Sequence, residues 1–238
     1  MNTISLSAEH NDYARYGFLT KTYGWMCLAL LISAVSAFLG ATSPALLSFL
    51  FSNHALGVKV LAIVEIGIVI FMTMTIQTMP LWTAITSFIL YSVVNGLTLS
   101  SIFLIFNIQS IMFVFFSAAL MFGGMSLYGM LTKKNLASVG HYFMLALLGL
   151  VVVSGVNMLV TFITHISLGW VDWLISFATV IIFSALTAYD VQKIMRTAQR
   201  ADDSEAYQKI ALLAALELYL DFINIFLSLL RMFGKKRN

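Results

Sequence analysis

Seven stretches of this chain are almost continuously apolar, and its polar residues gather between them. The runs cover Thr22–Ala41, Val58–Thr78, Leu81–Phe106, Ser110–Leu131, Gly140–Thr164, Trp170–Ile194 and Ile210–Phe233. Each is close to the roughly 20 residues that an α-helix needs to cross a bilayer. None alternates apolar with polar residues, as the strands of a membrane barrel do, so the pattern predicts helices. The two prolines, Pro44 and Pro80, fall at segment ends. The chain therefore reads as an all-α integral membrane protein, a bundle of seven transmembrane helices joined by short connections. Residues 1–20 read as a soluble N-terminal tail, 21–233 as the membrane domain and 234–238 as a basic C-terminal tail. The tail Met1–Thr20 is polar and mixed, which does not fit a cleavable leader.

Composition agrees. Of 238 residues, 61% are hydrophobic and 10% charged, where a soluble domain carries about 25% charge. The lipid bilayer is thus the expected partner. The net charge of +3 is too small to suggest nucleic acid. A single cysteine, Cys27, rules out an intramolecular disulfide. Trp82, Trp170 and Trp173 lie near segment ends, where aromatic residues anchor in the interface. Gly96 with Ser100, and Ala119 with Gly123, have the spacing of small residues that let helices approach closely.

Basic residues orient the chain. With seven spans, the N-terminal side holds Arg15, Lys21, Lys133, Lys134, Lys193, Arg196, Arg200 and Lys209, and the loops of the other side hold only Lys59. That places the N-terminus in the cytoplasm. Arg231, Lys235, Lys236 and Arg237 oppose this reading. Either the last segment spans and carries its basic end across, or it re-enters and returns the tail.

The chemistry concentrates in a few intramembrane acids. A carboxylate at mid-bilayer costs about 2.5–3.5 kcal/mol even on lenient scales, so acids kept there are functional candidates. Asp190 and Asp221 lie on the sixth and seventh segments, and their midpoint falls between Glu205 and Ala206, inside the polar stretch that reads as the turn. In an antiparallel hairpin, residues equidistant from the turn share a depth. Glu217 and Asp221 are i,i+4, and Asn224 extends their stripe. Desolvation and like-charge repulsion both favour a protonated carboxyl, so the two aspartates form a candidate proton-sensitive pair. When ionised they supply hard oxygens suited to Ca²⁺. Glu65 is a further acid in an apolar run, with Lys59 six residues away and off its face. It must be protonated, bonded across helices or lining water. Asn95, Asn157 and Asn224 are expected to cross-link helices, and His141 to sit at an interface. No metal-ligand histidine spacing, nucleophile elbow or phosphate loop is present, so the residues point away from an enzyme and call for no cofactor.

Three stretches carry a family resemblance. Gly123-Gly-Met-Ser-Leu-Tyr-Gly-Met-Leu-Thr-Lys-Lys-Asn-Leu136, Phe183-Ser-Ala-Leu-Thr-Ala-Tyr-Asp-Val-Gln192 and Ala215-Leu-Glu-Leu-Tyr-Leu-Asp-Phe-Ile-Asn-Ile-Phe-Leu-Ser-Leu-Leu-Arg231 resemble the fourth-helix exit, the sixth-helix acidic motif and the C-terminal helix of the Bax inhibitor family. Asn95-Gly-Leu-Thr-Leu-Ser100 is a weaker fourth match. The short loops and the Thr-Lys-Lys element resemble the bacterial branch, which implies the inner membrane. The resemblance implies six helices around a central C-terminal one. It also implies a pH-sensitive cation leak, chiefly of Ca²⁺, gated by an aspartate pair matching Asp190 and Asp221. Asp190, Asp221, Glu217, Glu65 and Asn224 would then line the proton and ion pathway, with the two aspartates as candidate Ca²⁺ ligands. Some bacterial relatives instead restrain a membrane-anchored AAA protease through the N-terminal tail. An arginine that latches the aspartates in some relatives is missing from Phe71-Met-Thr-Met-Thr-Ile-Gln-Thr78. Glu217 replaces a small polar residue, and Asn135 an aspartate.

Overall fold

A computed structural model describes the backbone of residues 2–164, 169–202 and 204–237, and side chains from residue 16 onward except 52–55. The helices are α1 (Asn2–Thr42), α2 (Pro44–Thr75), α3 (Leu81–Leu99), the single turn α4 (Ile102–Ile105), α5 (Ile108–Leu131), α6 (Ala137–Thr164), α7 (Gly169–Ala198) and α8 (Glu205–Phe233). Among the described residues seven spans are long and apolar enough to cross a membrane, with α3 and α4 forming one of them, Leu81–Ile105. The all-α membrane bundle expected from the apolar runs is the observed fold class.

The helix ends follow local chemistry. Pro44 occupies the first turn of α2, where its missing N–H costs no bond, and the Ser43 hydroxyl accepts from Leu46 N. This start lies well before the apolar run at Val58, because a helix begins at its cap and not at its first membrane residue. Asn107 caps α5 by accepting from Ser110 N at 2.8 Å. The run Leu81–Phe106 is broken near Ser100. There the Ser100 and Ser101 hydroxyls donate to Leu97 O and Thr98 O, at 2.6 and 2.9 Å. Side chains that take backbone carbonyls compete with the regular ladder, and the following amides fall back on i→i−3 bonds. α1 extends ahead of the apolar run at Thr22, as helix back to Asn2.

Helix contacts divide the chain into two units: residues 1–106, 194–219 and 237–238, and residues 107–193 and 220–236. In the first, α3 packs on both α1 and α2. Gly96 permits this, since a Cβ there would lie 2.5 Å from Ser33 O. In the second, Phe115 and Phe122 of α5 meet Phe222 of α8 edge-on at 5.3 and 5.7 Å. Here the close approach is at Gly129, whose Cβ would lie 2.4 Å from Ala188 O. A Cβ on Gly123 would meet nothing within 4 Å, so no close approach is made at that glycine.

α8 gives its first half to one unit and its second half to the other. Its apolar window is 67% buried, against at most 50% for any other span. α6 has none of its window buried and offers its apolar face to lipid. At one end of α8, Glu205 Oε1 accepts from Leu81 N at 3.0 Å, and Lys209 Nζ donates to Met79 O at 3.0 Å. Beyond its other end, Arg237 N donates to Ile105 O at 2.8 Å. Within the first unit Glu205 thus lies at the start of the span Leu81–Ile105 and Arg237 at its end.

Candidate functional site

The motif around Asp190 is held by its neighbours on α7, all within the second unit. Gln192 Nε2 donates to Lys134 O at 2.8 Å, and its Oε1 accepts from Leu136 N at 2.9 Å. One side chain thus ties α7 to the α5–α6 connection. Ala188 takes the backbone approach of Gly129, and the Tyr189 ring occupies the space a Cβ on Gly140 would need, 2.5 Å away. Asp190 sits among these fixed points and is half-buried. Asp221, on α8 in the same unit, is only 4% exposed. Its neighbour Phe222 belongs to the aromatic cluster with α5, which sets the rotation of that part of α8.

The turn before α8 lies earlier than the midpoint of the two aspartates. α7 ends at Ala198 and α8 begins at Glu205, so Asp190 is eight residues from its helix end and Asp221 sixteen from its own. At 1.5 Å per residue these are about 12 and 24 Å along the two helices. Equal depth therefore does not follow from helix length, as the turn symmetry suggested. Asn224 Nδ2 donates to Leu220 O one turn back on its own helix, at 2.8 Å, so this bond stays within α8. Asn157 does, donating to Asp172 Oδ1 at 2.8 Å. His141 is exposed, as an interfacial residue would be. Outside the spans, Ser204 donates to Asp202 at 2.9 Å through its backbone N–H, and its hydrogen bonding holds that carboxyl below the usual carboxylate range. Asp202 is thus ionised throughout the neutral range.

The other acids fall in the first unit. Glu217 is half-buried on α8. Glu65 is bonded across helices: Thr98 Oγ1 donates to Oε1 at 2.6 Å and Asn95 Nδ2 to Oε2 at 3.1 Å. Asn95 Oδ1 accepts from the Tyr219 hydroxyl at 2.8 Å, and that hydroxyl is 2.7 Å from Ser33 Oγ, which also reaches Ser92 O at 2.7 Å. Four spans converge on this line. The spacing of Asn95 and Thr98 put both on one face of α3, but nothing local marked Tyr219 or Ser33. Among the described residues no group of three or more His, Cys, Asp or Glu could hold a metal ion. A divalent cation at the two aspartates would draw its remaining oxygens from carbonyls or water.

Residues 15–238 match the family described as inhibitor of apoptosis-promoting Bax1. The chain belongs to the Bax inhibitor family. It is 39% identical over 227 residues to the inner membrane protein YbhL of Escherichia coli, covering 92% of each chain. It is 40% identical over 237 residues to a protein of Borreliella burgdorferi, covering 99% of each, and 35% identical over 221 residues to one of Rickettsia prowazekii. The Bax inhibitor motifs on α5 and α7 meet in the second unit: Gly129, Lys134 and Leu136 from the first motif are the residues that Ala188 and Gln192 of the second contact.

Proposed function

We propose that this Bax inhibitor family protein is a pH-sensitive cation leak of the bacterial inner membrane, with its N-terminus in the cytoplasm. Ca²⁺ is the chief cargo, and Asp190 and Asp221 are the gate. The observation that carries the reading is a carboxyl with 4% exposure, Asp221, on the most buried of seven spans. Deprotonation places charge in a poorly hydrated interior, which is relieved by separation of the helices, by water or by a cation. Asp190, anchored through Gln192 to the α5–α6 connection, is the second carboxylate of the pathway. Ca²⁺ suits such a gate because it accepts carboxylates and carbonyls in flexible geometry. Purified protein in liposomes is expected to release Ca²⁺ at a rate that changes with pH. Flux equal to that of empty liposomes at every pH would remove the reading.

A second reading is supported by α1. Its helix begins at Asn2, twenty residues ahead of the apolar run at Thr22, about 30 Å at the helical rise. A continuous helix of that reach can dock a partner at the membrane surface, such as a membrane-anchored AAA protease. Deleting residues 1–15 would abolish such association and leave Ca²⁺ flux intact. Loss of both would show that the tail and the leak are not separable.

A further inference from the structure

The line from Glu65 to Ser92 has more short contacts than the protons of its ionised form can fill. Its contacts are Thr98–Glu65 at 2.6 Å, Glu65–Asn95 at 3.1 Å, Asn95–Tyr219 at 2.8 Å, Tyr219–Ser33 at 2.7 Å and Ser33–Ser92 O at 2.7 Å. With Glu65 ionised, the Thr98 hydroxyl and the Asn95 amide both donate to the carboxylate. Asn95 Oδ1 then takes the single proton of Tyr219. The single proton of Ser33 is left for two acceptors, the Tyr219 oxygen and Ser92 O. One contact has no proton.

A proton on Glu65 removes the deficit. The amide of Asn95 turns over, exchanging oxygen and nitrogen without moving a heavy-atom position, because the two ends of an amide have nearly the same shape. Glu65 Oε2 now donates to Asn95 Oδ1, and Asn95 Nδ2 to the Tyr219 oxygen. The Tyr219 hydroxyl rotates to donate to Ser33, and Ser33 donates to Ser92 O. Thr98 still donates to Glu65 Oε1. One proton is taken up, one O–H bond forms, and every contact in the line holds one proton. Burial raises the stakes, since an unmade bond costs most where water cannot replace it. Tyr219 and Ser92 are fully buried, Ser33 is 2% exposed and Asn95 7%.

We propose that Glu65 is a proton-binding site, distinct from the two aspartates, whose occupancy reverses the direction of a buried hydrogen-bond chain through Asn95, Tyr219 and Ser33. The titratable groups that face Glu65 are two phenols, Tyr91 of α3 and Tyr219 of α8. The facing groups of α3 that bond it, Asn95 and Thr98, are neutral, as is Ser33 of α1 at the far end. On α2 itself the nearest charge in sequence is Lys59, six residues away. Among the described residues no basic side chain forms an ion pair with Glu65. The Tyr91 ring packs edge-on to Tyr219 at 5.7 Å and holds the ring while its hydroxyl turns. A change at α2 is thereby reported to α8 and α1 with little heavy-atom movement.

Infrared titration of the full-length protein in lipid nanodiscs tests this, with isotope-labelled tyrosine to mark the phenol band. A protonated-carboxyl band that disappears in Glu65→Gln is expected to titrate together with a shift of the phenol band that disappears in Tyr219→Phe. Glutamine donates as the protonated acid does, so in Glu65→Gln the Tyr219 band should stay in its acid position at every pH. Ser33→Ala removes the contact that only the protonated chain fills, and should lower the Glu65 midpoint by about one pH unit, a tenfold weaker proton affinity. A Tyr219 band that still titrates in Glu65→Gln would overturn the proposal. So would a Glu65 that is ionised throughout, or a midpoint unmoved in Ser33→Ala.

Discussion

At the scale of single residues, the side chain with the most structural leverage near the acidic motif is Gln192, a neutral one. Its amide closes two hydrogen bonds to a connection some 56 residues away in the chain and is 8% exposed. Gln192→Ala leaves Lys134 O and Leu136 N without those partners, and losses of this kind cost about 1–3 kcal/mol. Unfolding in detergent micelles should show a destabilisation of that order, where an exposed change such as Lys133→Ala stays within about 0.5 kcal/mol. The acids themselves were legible in the sequence because a carboxylate in an apolar run is rare on energetic grounds. Their partners were not. Which face of α8 carries Tyr219 toward Asn95, and which face of α1 carries Ser33, is set by packing between helices distant in the chain. Asn224 shows the same gap: its spacing from Asp221 was correct, yet its amide bonds its own helix.

At the scale of the elements, bilayer thickness made the spans readable, since each must be long and apolar enough to cross. Their interruptions were less readable. The break after Leu99 rests on hydroxyls that take backbone carbonyls, and the serines there resemble ordinary small packing residues. Glycines illustrate the difference between spacing and contact. Gly96 and Gly129 stand where a Cβ would come within 2.5 and 2.4 Å of a backbone oxygen, while Gly123 faces open space. Backbone cannot yield as a flexible side chain can, and overpacking of this kind costs about 1–3 kcal/mol or more. Gly96→Ala and Gly129→Ala should each destabilise the protein in thermal unfolding, and Gly123→Ala should not. Equal effects at the three positions would contradict the packing described for α3 and α7.

At the scale of the whole molecule, the last helix decides the topology. The charge pattern left two fates for the basic tail, because Arg231, Lys235, Lys236 and Arg237 oppose the orientation set by the other loops. Glu205 meets Leu81 and Arg237 meets Ile105, at the two ends of the span Leu81–Ile105, and from these contacts we propose a full crossing. With Cys27 replaced by serine, Ser204→Cys and Lys236→Cys should react with an impermeant maleimide from opposite sides of the membrane. Labelling of both from one side would contradict the crossing.

In the proposed mechanism Asp190 and Asp221 set the pH response of a cation leak. This is tested most directly by Ca²⁺ release from liposomes holding the wild type, Asp221→Asn and Asp202→Asn, followed from mildly acidic to mildly alkaline pH. Asp202 has its carboxyl lowered, so its charge is already complete at neutral pH and is lost only on strong acidification. Asp202→Asn should therefore keep the wild-type curve. Asp221→Asn, which cannot ionise, should flatten it. A pH-dependent flux that Asp221→Asn leaves unchanged would contradict the account.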